Sequence, residues 1–142
     1  MRRTIDYHRK GIHVLWLLQW TPKLDQPQYT PRLWEKWIHA AYFGRVYYWT
    51  RGLEVVSYRF EPTLKSVPKK TWYSPTGKKM ESKGYTHRLK RTRTAVRDRT
   101  FNLATDFAPK MRFWWEGNGV KVPDARLFME RDGNQSFHHE RQ

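Results

Sequence analysis

Residues 30–52 read TPRLWEKWIHAAYFGRVYYWTRG, and the fold turns on how far the helix that opens this stretch extends. Thr30 offers a hydroxyl for the N-cap, and Pro31 suits the first helical position, where its missing N–H costs nothing. Leu33, Trp37 and Ala41 then recur every four residues, with Trp34, Ile38 and Tyr42 in the adjacent row. The two rows make one broad apolar stripe, and Arg32, Glu35, Lys36 and His39 fall largely outside it. Gly44 is one stop for the helix. Gly52, able to supply a left-handed cap after Arg51, is the other. The pattern predicts a long aromatic amphipathic helix over 31–50. Residues 53–60, LEVVSYRF, are β-prone and predict a strand.

Before the helix, residues 21–30 hold Pro22, Pro27 and few apolar side chains, which predicts a loop. Residues 12–20 are apolar, with Val14, Leu15, Trp16, Leu17, Leu18 and Trp20. Periodicity leaves a short helix and a buried strand both open there. Residues 1–11 form a polar, basic arm. Arm and apolar run together have the outline of a secretory signal. The run is short, however, and Thr21-Pro22-Lys23 follows where a small-residue cleavage site belongs, so no cleaved signal is expected. No stretch reaches the roughly 18 uncharged apolar residues of a membrane span, and a span over the helix would carry Arg45 into the bilayer.

Towards the end, Lys110 to Trp115 alternates in part, Asn118-Gly119 is a tight-turn pair, and Val120–Val122 reads as the return strand. A hairpin over 110–122 is expected. Trp114 and Trp115, adjacent on a strand, would point to opposite faces, so at least one should meet a partner or a covering loop. The chain from Asp132 is polar. The expected class is α+β: a small core of the long helix, the 53–60 strand and the hairpin, with extended basic arms. The segments are 1–11, 12–62, 63–100, 101–131 and 132–142.

Composition sharpens this picture. Only 38% of the chain is apolar, against roughly 45–50% in typical soluble domains. Eight Trp, eight Tyr and seven Phe carry much of that share, which a disordered chain would lack. The net charge is +15, and residues 64–99 hold twelve Lys or Arg against Glu81 and Asp98, or +10 in 36 residues. Such a concentration repels itself and draws anionic partners: nucleic acid first, then an anionic membrane surface or an acidic protein face. Pro68, Pro75, Gly77 and Gly84 break the first part of this segment. The second part, 86–100, has no breaker and fits a basic helix or an arm ordered by its partner.

The candidate RNA- or anion-binding residues are Lys69, Lys70, Trp72, Tyr73, Lys78, Lys79, Lys83, Tyr85, Arg88, Lys90, Arg91, Arg93, Arg97 and Arg99. Cations meet phosphates, and aromatic rings stack on unpaired bases, which favours RNA over duplex DNA. Trp34, Trp37, Trp114 and Trp115 are candidates for docking a neighbouring protein; core packing is the competing role.

Catalysis is not expected. There is no cysteine, which excludes a disulfide scaffold, a thiol nucleophile and a Cys-based zinc site, and fits a reducing, intracellular compartment. No nucleophile elbow or phosphate-cradling Gly-rich loop is present, and carboxylates such as Glu54 and Asp106 are scattered. His8 and His13 are five apart and His138 and His139 sit in the polar tail, so no metal and no cofactor is expected. Asn134-Gln135-Ser136 matches a glycosylation acceptor by chance.

A core with long cationic arms suits threading into a ribonucleoprotein. In composition the chain resembles a supernumerary ribosomal protein, of a mitochondrial ribosome, with rRNA and neighbouring proteins as partners and no life as a free monomer. The alternative is an accessory subunit of a mitochondrial respiratory complex or ATP synthase. It would dock through its Trp-rich segments, with the arm on acidic subunits or lipid headgroups. Arg2 and Arg3 fit an imported chain, although Asp6 lies among them.

Overall fold

The computed structural model describes residues 2–132 of the chain. The tail with His138, His139 and Asn134-Gln135-Ser136 lies outside them. The aromatic helix is short: α2 spans Leu33–Ala41. Beyond it Phe43 and Gly44 take φ values of 55° and 89°, both left-handed, and the Gly44 N–H closes onto the His39 carbonyl at 2.6 Å. Glycine adopts this conformation freely; Phe43 does not, and its ring lies under the Arg112 guanidinium, 4.1 Å from the centroid. Arg112 is buried and donates from Nε to the Ala41 carbonyl (3.0 Å) and from Nη2 to the Ala40 carbonyl (3.2 Å). A cation thus occupies the negative end of the helix. At the other end Arg32, not Thr30, is the N-cap residue, and the Glu35 carboxylate reaches back to accept its N–H at 2.9 Å.

Val46–Arg51 forms strand β2 and not a second half of the helix. Its aromatic and β-branched content favours extended chain. Tyr47 and Tyr48, both buried side by side, need opposite faces, which a strand provides. Tyr47 meets Phe101 and Phe107 edge-on at 5.9 and 5.2 Å, and donates to Glu130 Oε2 at 2.5 Å. Tyr48 faces α2 and donates to Glu35 Oε2 at 2.6 Å. Strands take 53% of the described residues and helices 16%. The expected α+β core built on one long helix is therefore wrong; the protein is mostly β.

The main sheet has the order β1-β2-β3-β6, with β1 at Leu17–Gln19, β3 at Glu54–Val67 and β6 at Tyr85–Asn102. β1 runs parallel to β2, and the other neighbours are antiparallel. A second pair, β7 (Phe107–Arg112) with β10 (Ala125–Glu130), packs on the Tyr47 side. The expected 110–122 hairpin is thus divided. Lys110–Arg112 pairs with β10, while β8 (Trp115–Gly117) and β9 (Val120–Val122) make a smaller hairpin turning at Asn118-Gly119. The amino-terminal arm is also corrected: Arg2–Arg9 is a helix, α1, in contact with β10. Thr4 is buried there, its hydroxyl accepting from Trp16 Nε1 at 2.9 Å.

The basic segment pairs with itself. Residues 86–100, expected as a basic helix or an arm ordered by its partner, are an extended strand, most of β6, paired within the chain to β3. Beyond Thr63 the two strands leave the core as a ribbon, and β4 (Lys70–Tyr73) with β5 (Lys79–Ser82) continues it to a turn at residues 74–78. No residue from Leu64 to Arg91 is buried. Leu64 to Tyr73 alone is ten residues, about 30 Å of extended chain.

Candidate nucleic-acid interface

The ribbon from Leu64 to Arg91 carries nine Lys or Arg and one acid, Glu81, so its net charge is +8. Glu81 is met by Lys69 and Lys79, each at 3.7 Å. Among the described residues Lys70, Lys78, Lys83, Arg88, Lys90 and Arg91 make no ion pair within 4 Å. Of the three acids on the long strands, Glu61 and Asp98 are both held by Arg59, at 3.2 and 3.1 Å, and Glu54 is paired with Arg51 at 3.4 Å. Unneutralised cations on a two-stranded ladder raise the local potential for phosphates. Three rings lie among them with much of their area in solvent: Trp72, Tyr73 (70% exposed) and Tyr85. Trp72 pairs across the tip with Met80, and Tyr85 sits beside His87 with centroids 5.7 Å apart.

Not all predicted residues share this position. Arg97 and Arg99 lie at the root of the ribbon, over Tyr58 (6.0 Å) and Phe101 (5.2 Å) of the core. Arg93 is also at the root. Its backbone bridges to Tyr29 in both directions, and its Nη1 donates to the Lys90 and Thr92 carbonyls at 3.2 and 2.9 Å. Arg88 and Arg93 both line a cleft of about 380 Å³ that the ribbon forms with α2 and the β8–β9 turn. Lys36, His39 and Phe60 belong to this cleft, and sequence reasoning did not select them. Alternation along β3 puts Phe60, Pro62 and Leu64 on one face, so Phe60 was the one accessible signal.

His39 accepts the Phe60 N–H on Nε2 at 3.3 Å and stacks on the Phe60 ring at 5.5 Å. Burial, with Arg45 nearby, pushes its ring down to about 4, so it is neutral at physiological pH. The positive charge of the cleft therefore comes from Lys36, Arg88 and Arg93. No carboxylate lines it among the described residues.

The four docking candidates divide. Trp34 is exposed and, with Leu33 (82% exposed), Trp37 and Ile38, faces Trp16, Leu17 and Leu18 across an apolar groove of about 700 Å³. Trp37 is half-buried, its indole N–H on the Lys121 carbonyl at 3.0 Å. Trp114 is exposed, its backbone N–H bound by Asp124 at 2.7 Å, whereas Trp115 is half-buried against the core.

The scattered carboxylates serve local structure. Glu54 accepts from Thr50 (2.7 Å) and pairs with Arg51 (3.4 Å), while Asp106 accepts the Asn102 N–H at 2.6 Å. His8 meets Arg126 and His13 meets the Phe128 ring. Among the described residues no three His, Asp or Glu are placed to hold a metal ion. Set against models of protein families, characterised proteins and solved structures, the chain matches none of them.

Proposed function

We propose that this protein is a non-catalytic RNA-binding component of a large ribonucleoprotein, gripping single-stranded or irregular RNA along its cationic ribbon. The observation that carries the reading is the ribbon itself, +8 over 28 residues with Trp72, Tyr73 and Tyr85 exposed among the cations. Phosphates meet the Lys and Arg side chains with release of counterions, and unpaired bases stack on the rings. A ribbon already paired with itself pays little ordering entropy on binding, unlike an arm that folds on contact. Within this class we propose a supernumerary ribosomal protein, of a mitochondrial ribosome, on composition.

A second reading is supported by the apolar groove between β1 and α2. Arg32, the N-cap residue of α2, stands exposed with its guanidinium 5.8 Å from the ring centroid of Trp34, and the chain's net charge of +15 disfavours a second copy there. The matching occupant is an apolar segment of a neighbouring protein flanked by acids, as an accessory subunit of a mitochondrial respiratory complex or ATP synthase would meet. No helix among the described residues is long and apolar enough to cross a membrane. One experiment separates the two: affinity purification of the tagged chain from its source, with and without ribonuclease. RNA-borne partners released by ribonuclease support the ribonucleoprotein. Membrane-complex subunits retained in detergent and indifferent to ribonuclease refute it.

A further inference from the structure

The cleft at the root of the ribbon owes its chemistry to a break in strand pairing. Pro62 pairs with Arg93 and Leu64 with Arg88, so four residues of β6, 89–92, stand opposite Thr63 alone. In a regular strand Arg88 and Arg93, five apart, would project to opposite faces. Pro62 and Leu64 are two apart and share a face, so the bulge brings both arginines to that face. Both line the cleft, opposite Lys36 of α2. The bulge has a cost: the Thr92 hydroxyl is buried without a hydrogen-bond partner. Bulges that persist at such cost commonly re-aim side chains beside sites.

Three cations converge here, and one of them is pre-positioned, since the Lys90 and Thr92 carbonyls hold Arg93. The apolar walls are Phe60, Pro62 and Trp115. Phe60 is itself fixed in a ladder of rings between Tyr29 (5.7 Å) and His39 (5.5 Å), so this wall is rigid. Trp115 lies directly on Gly117, where an added Cβ would come within 2.6 Å of the indole. A volume of about 380 Å³ is within the range of small-ligand pockets. Cations and flat apolar walls lining one cleft match a phosphate joined to a planar ring.

We propose that this cleft holds one unstacked nucleotide of a bound RNA strand, its phosphate on Arg88, Arg93 and Lys36 and its base against Trp115. The proposal rests on the RNA reading and adds a second contact to it, one that anchors the strand at the foot of the ribbon.

The test is photo-cross-linking of the full chain to a short single-stranded RNA carrying 5-iodouridine, with adducts located by peptide mass spectrometry. An adduct on Trp115 is expected, falling at least fivefold in Arg88→Gln/Arg93→Gln while adducts on Trp72, Tyr73 or Tyr85 persist. Arg88→Glu, at an exposed side chain with no fold role, gives the same loss should Arg93→Gln disturb the bulge. Gly117→Ala, which leaves the charge unchanged and displaces the indole, lowers the Trp115 adduct as well. Adducts confined to the ribbon tip, or a Trp115 adduct indifferent to these substitutions, overturn the cleft proposal and leave the ribbon reading standing. Failure of the chain to retain the RNA at all removes both.

Discussion

Replacing Glu35 by leucine removes the node that joins α2 to the main sheet. The carboxylate is 2% exposed and serves three donors: the Tyr29 hydroxyl at 2.9 and 2.8 Å, the Tyr48 hydroxyl at 2.6 Å, and the Arg32 N–H at 2.9 Å. Burial, and then the carboxylate itself, holds both tyrosines well above the usual tyrosine range, so both remain donors at any pH the fold survives. In Glu35→Leu two hydroxyls lose their acceptor, at about 1–3 kcal/mol each, and the helix loses its cap, at about 1 kcal/mol. Relief from desolvating a charge returns part of this, leaving a net loss of about 4 kcal/mol. Against a total stability of about 5–15 kcal/mol that is a large fraction, and the melting temperature should fall by about 12 °C. Thermal denaturation followed by circular dichroism measures it. Adding Tyr29→Phe and Tyr48→Phe should restore most of the loss, because no orphaned hydroxyl remains. A single variant that melts within about 3 °C of the parent, or a triple variant worse than the single, would refute the reasoning.

Arg112→Met strips the Ala40 and Ala41 carbonyls of their donor and uncovers Phe43 in its left-handed conformation; a loss of about 3 kcal/mol is expected. Urea denaturation should show a lower midpoint at unchanged slope, and Arg112→Lys, lacking the planar fork, should recover less than half. For His39 the folded ring is held down to about 4, so on acidification the unfolded chain takes up its proton first. Stability due to this group is complete above about pH 6.5 and is lost progressively down to about pH 4, a total on the order of 3 kcal/mol. His39→Gln should flatten that part of the pH–stability curve; a curve of unchanged shape would show that His39 is free to protonate in the fold.

Local chemistry was legible where it acts within a few residues. The apolar rows from Leu33 to Ala41, the Asn118-Gly119 pair and the β-prone run after Gly52 each name an element that forms nearby. The length of the helix was not, because Tyr42 to Trp49 is apolar apart from Gly44 and Arg45 and so fits a buried helix and a doubly covered strand alike. The choice fell to Arg112, 68 residues beyond Gly44, which caps the helix end, and to the two buried acceptors, Glu35 and Glu130, that take Tyr48 and Tyr47 on opposite faces.

The charge that marks the candidate site is a property of composition, and the sequence by itself determined it: +10 over residues 64–99 holds in any conformation. What that charge is shaped into belongs to the tertiary structure alone. β6 has too little apolar period to announce itself as a strand, and it becomes one because β3 supplies its backbone partners from about thirty residues away. Whether Arg88 and Arg93 face together depends on a four-against-one bulge. Side-chain direction in a strand alternates with every residue, so a single slip of register reassigns it, and register is set by pairing between strands rather than by either strand.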